Sequence, residues 1–261
     1  ADAAIDDILG GKFGNAGETI VIEAFLEGEE LSFFALCDGE RAIPFGSAQD
    51  HKAVGEGDTG PNTGGMGTYS PAPVATPEVE QFIMDKVINP TIAGLKAEGT
   101  PFVGVLFAGF MITREGPQLL EYNIRFGDPE TQSLMVRLES DLAELMLAAA
   151  QGDLSDKEVK LRDDAALCGV MASKGYPEGY EKGSIIGKVK EAQAIDDVMV
   201  FHAGTSANEQ GEFTAIGGRV LGVTARGKTI KEAQERAYQA VDTIEWPEGF
   251  CRRDIGWRAI A

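Results

Sequence analysis

Between Ser47 and Pro73 the chain loses its apolar periodicity, and glycine, proline, asparagine and threonine take over. This predicts a loop of more than 20 residues, and loops of that length inside compact domains are either functional or disordered. Six of the 13 residues from Gly55 to Gly67 are glycine, so backbone N–H groups can converge on an anion without side chains in between. A cradle for phosphate or carboxylate is the functional reading, and a flexible surface loop is the plain one. The run is not a P-loop, since no Gly-Lys-Ser/Thr follows, nor a dinucleotide fingerprint, since a loop rather than a strand precedes it.

On either side the patterning is regular. Ile5 to Leu9 reads as the end of a short helix before glycines, Thr19 to Phe25 and Leu31 to Leu36 as strands, and Cys37 to Glu40 as a turn. Thr76-Pro77-Glu78 supplies a capping hydroxyl, a proline at the first helical position and an acid in the first turn. Val79, Phe82, Ile83 and Val87 then recur at helical spacing. Phe102 to Ile112 and Gln118 to Arg125 form a hairpin, Asp128-Pro129-Glu130 opens another helix, and Ser140 to Gln151 is a third, ended by Gly152. A polar stretch from Asp153 to Asp164 marks a domain boundary. Beyond it lie strands at Ala166 to Ala172, Ile185 to Val189, Met199 to His202 and Arg219 to Ala225. A hairpin turns near Asn208 to Glu212, and Thr229 with Glu232 boxes the last long helix.

The chain has 261 residues, 43% hydrophobic, enough for two domains or one large one and against disorder as the main reading. Its 42 acidic and 23 basic residues give a net charge of −19, which argues against nucleic acid and against anionic membranes as partners. No apolar run approaches the roughly 20 residues that span a bilayer. The acidic N-terminus has neither the basic nor the apolar part of a signal peptide, so a cytoplasmic location is expected. Three scattered cysteines form no disulfide framework or zinc motif.

Side chains alternate along a strand, so Glu121, Asn123 and Arg125 share one face while Leu120, Tyr122 and Ile124 share the other. A carboxylate and an amide two residues apart suit a hard cation such as magnesium, which takes one or two protein ligands plus phosphates. Arg125 can meet a carboxylate or phosphate through its planar fork. A solvated hairpin face is the alternative. Further candidates are weaker taken singly: Glu23 to Glu30 as an adenosine hinge or an acidic turn, His51 as a structural imidazole, and Lys52 and Lys174 as surface cations.

In order along the chain, QDHKAVGEGDTGPNTGGMGTYSPAPV, EYNIRFGDPETQ, ASKGYP, FHAGT, GGRVLGVTARG and FCRRDIGWRAI resemble the phosphoribosylamine–glycine ligase family. The resemblance runs through essentially the whole chain. It implies an α+β ATP-grasp fold followed by a small C-terminal α/β domain with an antiparallel hairpin. Residues 1–28 are then a remnant of the small lobe with the hinge, 29–155 the large lobe, and 156–261 the C-terminal domain.

The implied reaction is ATP-dependent joining of glycine to 5-phosphoribosylamine through a glycyl phosphate, with Mg2+ or Mn2+ as cofactor. In that scheme Glu121 and Asn123 hold the metal, Arg125, Lys52 and Asp128 form the catalytic set, and Glu23, Phe25, Leu26 and Glu30 bind ATP. Asp50, His51, Asp58, Thr59, Gly60, Asn62, Thr63, Gly64 and Gly65, with Lys174 and Gly175, face the substrates. Ala24 stands where the family often has an acid. The family's glycine-rich first domain and most of its small lobe are absent, so the chain is expected to be inactive alone, with its N-terminal counterpart possible in another chain. The alternatives are another ATP-grasp ligase or carboxylase, and a non-catalytic nucleotide-binding module.

Overall fold

A computed structural model describes residues 2–260. Its main feature is a nine-stranded sheet built from β1 (Glu29–Asp38), β2 (Ala42–Asp50), β3 (Gly67–Ser70), β4 (Val103–Thr113), β5 (Gly116–Asn123), β6 (Ala165–Ser173), β7 (Val198–His202), β8 (Arg219–Gly227) and β9 (Gly249–Phe250). The spatial order is β7-β8-β6-β3-β2-β1-β4-β5, with β9 also on β6, and every pairing is antiparallel.

The sheet packs helices against different parts of its surface. On β1, Leu31, Phe33 and Ala35 pack with Ile83, Ile88 and Ile92, while Phe34 and Leu36 pack with Leu134, Leu145 and Ala148. Burial on both faces explains why this strand reads as a continuous apolar run. Beyond β6, the helix Ile230–Thr243 buries Ala233, Ala237, Ala240 and Val241. Thr229 Oγ1 accepts the Glu232 N–H at its start, and Glu232 Oε2 accepts the N–H of Lys228.

Four expectations change. The strand expected at Ile185 to Val189 is confined to Ile185–Ile186, and Val189 opens a helix, Val189–Gln193. Thr19 to Phe25 forms no strand and pairs with none of the described strands; Val21, Ile22 and Phe25 are 82%, 75% and 89% exposed. A β-type run alone does not make a strand, because the backbone also needs a partner. The Ser47 to Pro73 stretch is largely ordered: it holds the end of β2, a small hairpin of Ala53–Gly55 with Thr59–Asn62, and all of β3. Strand β3 pairs β2 through Gln49↔Tyr69 and β6 through Thr68↔Cys168, so this stretch joins the two halves of the sheet across the predicted boundary. Asp128 does not cap the helix Glu130–Met135; its carboxylate accepts hydrogen bonds from Gln132 and Arg219 instead.

Among the described residues no helix is long and apolar enough to cross a membrane.

Candidate active site

The start of β1, the end of β2 and the end of β5 converge. A cleft of about 180 Å³ is lined by Glu29, Glu30, Asp50, Lys52, Asp58, Asn62 and Arg258, among others. A second, of about 270 Å³, shares Glu30 and Lys52 with it and adds Glu23, Ser32, Leu120 and Glu121. Lys52 is the cation common to both, with its Nζ 3.0 Å from Glu30 Oε2. Burial alone would lower its pKa, but Glu30, then Asp50 and Glu121, outweigh this and hold the ammonium above its usual value.

Two carboxyls behind Lys52 are perturbed the other way. Burial, then the charge of Glu130, pushes Asp50 well above the ordinary carboxylate range, against the Lys52 charge and the His51 N–H, 2.7 Å from Oδ1. Glu130 is 4% exposed, and burial raises it too; its own amide and the Ser32 hydroxyl, 3.0 Å from Oε1, pull the other way. Both carboxyls therefore hold their protons to higher pH than an ordinary surface carboxylate does.

On β5 the bulge between Gly109 and Phe110 falls at Leu120. As a result Leu120 and Glu121 line the same cleft, where strict alternation places them on opposite faces. Past the bulge the alternation resumes. Asn123 Nδ2 donates to Glu121 Oε1 at 3.3 Å, and Arg125 donates to Asn123 Oδ1 at 3.5 Å and to the Phe126 carbonyl at 2.8 Å. The strand ends at Asn123, so Arg125 stays in the group through its side chain rather than through the pleat. Of the apolar set, Tyr122 bonds Thr91 at 2.6 Å and Ile124 is 76% exposed.

The glycine-rich stretch is held from the far end of the chain. Arg252, 1% exposed, pairs with Asp58 at 3.0 Å and with Asp254 at 2.7 Å, and Arg258 also pairs with Asp58. His51 is 1% exposed and does not face the cleft. Its Nε2 accepts the Gly256 N–H at 3.2 Å, which places its proton on Nδ1, 3.3 Å from the Gly67 carbonyl. Burial, then the charges of Arg252 and Arg258, pushes its pKa down to about 4. Thr59, Gly60 and Asn62 lie in the exposed strand of the small hairpin, and Thr63 bonds the Lys52 carbonyl through both its N–H and its hydroxyl. Gly65 has φ +113°, and a Cβ there would lie 2.5 Å from Pro129 Cδ and 2.7 Å from Asp50 Oδ1, so only glycine fits between them.

Other predicted residues lie apart. Phe25 and Leu26 line a groove of about 410 Å³ with Thr113, Arg114 and Gln118, while Glu23 faces Glu30 and Glu121. Lys174 lines a cleft of about 550 Å³ with Lys182 and Glu248, and Gly175, at φ +97°, turns the chain beside it. Sequence reasoning missed Glu130, Ser32, Arg219, Arg252 and Arg258. All act through contacts with residues distant in sequence, and only the cluster Arg252, Arg253, Arg258 left a compositional trace.

Residues 1–131 match the model of the phosphoribosylglycinamide synthetase ATP-grasp (A) domain, and residues 166–258 that of the C domain of the same enzyme. The chloroplastic phosphoribosylamine–glycine ligase of Arabidopsis thaliana is 60% identical, over 98% of this chain and 49% of that protein. That of Mesorhizobium japonicum is 58% identical over 100% and 61%, and that of Vigna unguiculata 57% over 95% and 81%. The crystal structure of the Thermotoga maritima enzyme superposes with TM-score 0.80 at 32% identity, over 89% of this chain and 57% of that one. A biotin carboxylase from Campylobacter jejuni shares the fold alone, with TM-score 0.65 at 14% identity over 97% and 53%.

The fold, with a carboxylate and an amide on the strand edging a lysine-bearing cleft, defines an ATP-grasp protein. The chain belongs to the phosphoribosylamine–glycine ligase family. It spans about half to three fifths of the first relatives' length.

Proposed function

We propose that this chain carries the large lobe and C-terminal domain of an ATP-dependent ligase that joins glycine to 5-phosphoribosylamine. A glycine carboxylate oxygen attacks the γ-phosphorus of ATP, and ADP leaves. The phosphoribosylamine nitrogen then attacks the acyl carbon of the glycyl phosphate, phosphate leaves, and the nitrogen loses a proton as the amide forms. The observation that carries the reading is the grouping of Glu121, Asn123 and Arg125 beside the cleft shared by Lys52 and Glu30.

The donor set fits a hard divalent cation, Mg2+ or Mn2+. It offers a carboxylate and an amide oxygen, and no group of three or more His, Cys, Asp or Glu among the described residues could hold a metal without help. Glu121 and Asn123 would hold such a cation, which would supply neutralisation of phosphate charge. Lys52 and Arg125 bring fixed positive charge to the transferring phosphoryl and acyl phosphate groups, with Asp128 at the corner that follows. Glu23, Phe25, Leu26 and Glu30 bind the adenosine side. Asp50, Asp58 and the turn from Thr59 to Gly65, with Lys174 and Gly175, serve the glycine and phosphoribosylamine side. His51 supports that turn from behind. In this reading residues 1–28 complete the hinge, 29–155 the large lobe and 156–261 the C-terminal domain.

Turnover requires the further length that the relatives possess, whether on this chain or another. Calorimetry with ATP and magnesium or manganese is expected to show metal-dependent binding that Glu121→Ala abolishes. Combined with the N-terminal half of a relative, the chain is expected to release ADP only with glycine and phosphoribosylamine present. Absence of metal-dependent binding in the wild type, or ADP release that ignores glycine, overturns the reading. Steady glycinamide ribonucleotide formation by the 261 residues alone overturns the requirement for the remainder.

A further inference from the structure

Arg219 opens β8, in the C-terminal half, yet its guanidinium ends among residues from two other parts of the chain. Its Nη1 lies 2.6 Å from the Gly64 carbonyl, 3.3 Å from the Gly65 carbonyl and 2.6 Å from the Asp128 carbonyl; its Nη2 lies 2.9 Å from Asp128 Oδ2. Tyr176, also from the C-terminal half, takes the Gly64 N–H on its hydroxyl at 3.2 Å. Gly64 is thus held at both its backbone N–H and its carbonyl from the far half of the molecule.

The geometry points to Arg219 as a positioning residue that fixes the Gly64–Gly65 turn and the Asp128 corner relative to each other. A planar fork with five donors can serve several acceptors at once, which a lysine cannot. What the turn controls is nearby. The backbone at Gly65 is wedged between the Asp50 carboxylate and the Pro129 ring, so any shift of the turn moves the wall of the cleft at Asp50 and the segment that follows Arg125. Nothing bulky blocks this approach: a Cβ on Gly64 would lie 3.0 Å from the guanidinium, so glycine there lets the arginine reach the carbonyls. Arg219 is 21% and Asp128 53% exposed at their side chains, so the ion pair itself adds little stability, and the role is in placement. For the reaction, this inference rests on the function proposed above: the turn serves the glycine and phosphoribosylamine side, so Arg219 acts on those substrates and not on ATP.

Two measurements test it. In the 261-residue chain, residue-resolved amide hydrogen exchange is expected to rise about tenfold at Gly64 to Met66 in Arg219→Ala, with β1 and the helix Ile230–Thr243 unchanged. Arg219→Lys falls between, and Tyr176→Phe, which keeps the ring, raises exchange at Gly64 alone. In the reconstituted ligase, Arg219→Ala raises KM for phosphoribosylamine or glycine about tenfold and leaves KM for ATP in place, and Arg219→Lys recovers part of the loss. Unchanged exchange at Gly64 to Met66, or an equal rise in the KM for ATP, overturns the inference. If the reconstituted wild type makes no product, the proposed function fails and the exchange arm decides the role of Arg219 by itself. If Arg219→Ala does not fold, Arg219→Lys and Tyr176→Phe carry the same exchange test, and wild-type rates in both overturn it.

Discussion

The ammonium of Lys52 lies 3.0 Å from Glu30 Oε2, and these two residues line both clefts of the site. Their side chains are 38% and 39% exposed, so water screens the pair and it stabilises the fold by no more than about 1 kcal/mol. Lys52→Met is therefore expected to leave the thermal midpoint almost unchanged while weakening metal–ATP binding about tenfold or more, since a charge-assisted contact to phosphate is lost. Thermal unfolding and calorimetry on the same sample check this; a large drop in the midpoint with unchanged affinity contradicts it.

Glu121 is exposed and bonds only Asn123 among the described side chains. Glu121→Ala is expected to cost less than about 0.5 kcal/mol in a urea titration, in keeping with an exposed surface position. The same variant is expected to lose metal-dependent nucleotide binding. Retained binding removes Glu121 as a metal ligand.

Arg252 should behave in the opposite manner. It is 1% exposed and faces Asp58 and Asp254, whose side chains are 30% and 22% exposed. Arg252→Leu takes the arginine away from Asp254, leaves Asp58 with Arg258 alone and frees the Ala53 carbonyl, at a cost of about 3 kcal/mol. Because the pair ties the small hairpin to the C-terminal segment, the loss appears as a lower urea midpoint with the slope retained.

His51 predicts a pH dependence. Its pKa is about 4 in the folded protein and 6.5 ordinarily, so between these values the unfolded chain binds a proton that the folded chain does not. Stability contributed by the neutral ring is full above pH 6.5 and declines as pH falls toward 4, by about 3 kcal/mol in all. Asp50 and Glu130 are shifted upward and work in the other direction, gaining as pH falls. The difference in unfolding free energy between wild type and His51→Gln, measured from pH 7.5 to 4, isolates the histidine. A difference that does not change with pH rules out a buried neutral ring.

Two glycines separate conformational strain from steric conflict. Gly57 has φ +64° and an added Cβ meets nothing within 4 Å, so Gly57→Ala is expected to cost about 1 kcal/mol. Gly65→Ala adds a clash with Pro129 and Asp50 to an unfavourable φ, and is expected to cost more than twice as much and to impair substrate binding. Urea titrations of the two variants check the ranking.

The amino-acid sequence by itself determined what depends on local pattern. The cap at Thr76, the box at Thr229 and Glu232, the hairpin of β4 and β5, and the pairing of Glu121 with Asn123 each arise from neighbours within a few residues, where spacing fixes geometry. The motif series also carried the family. Contacts distant in sequence were decided only by the tertiary structure. A stretch without apolar period became ordered because β2 and β6 supply its hydrogen bonds, and a β-type run at Thr19 to Phe25 found no such partner. His51 faced inward because Gly67 and Gly256 meet around it, Leu120 turned toward the cleft at a bulge, and Arg219 reached a glycine turn 155 positions away. Local spacing sets which way a side chain leaves its own strand or helix; what it meets there depends on segments that only the folded chain brings together.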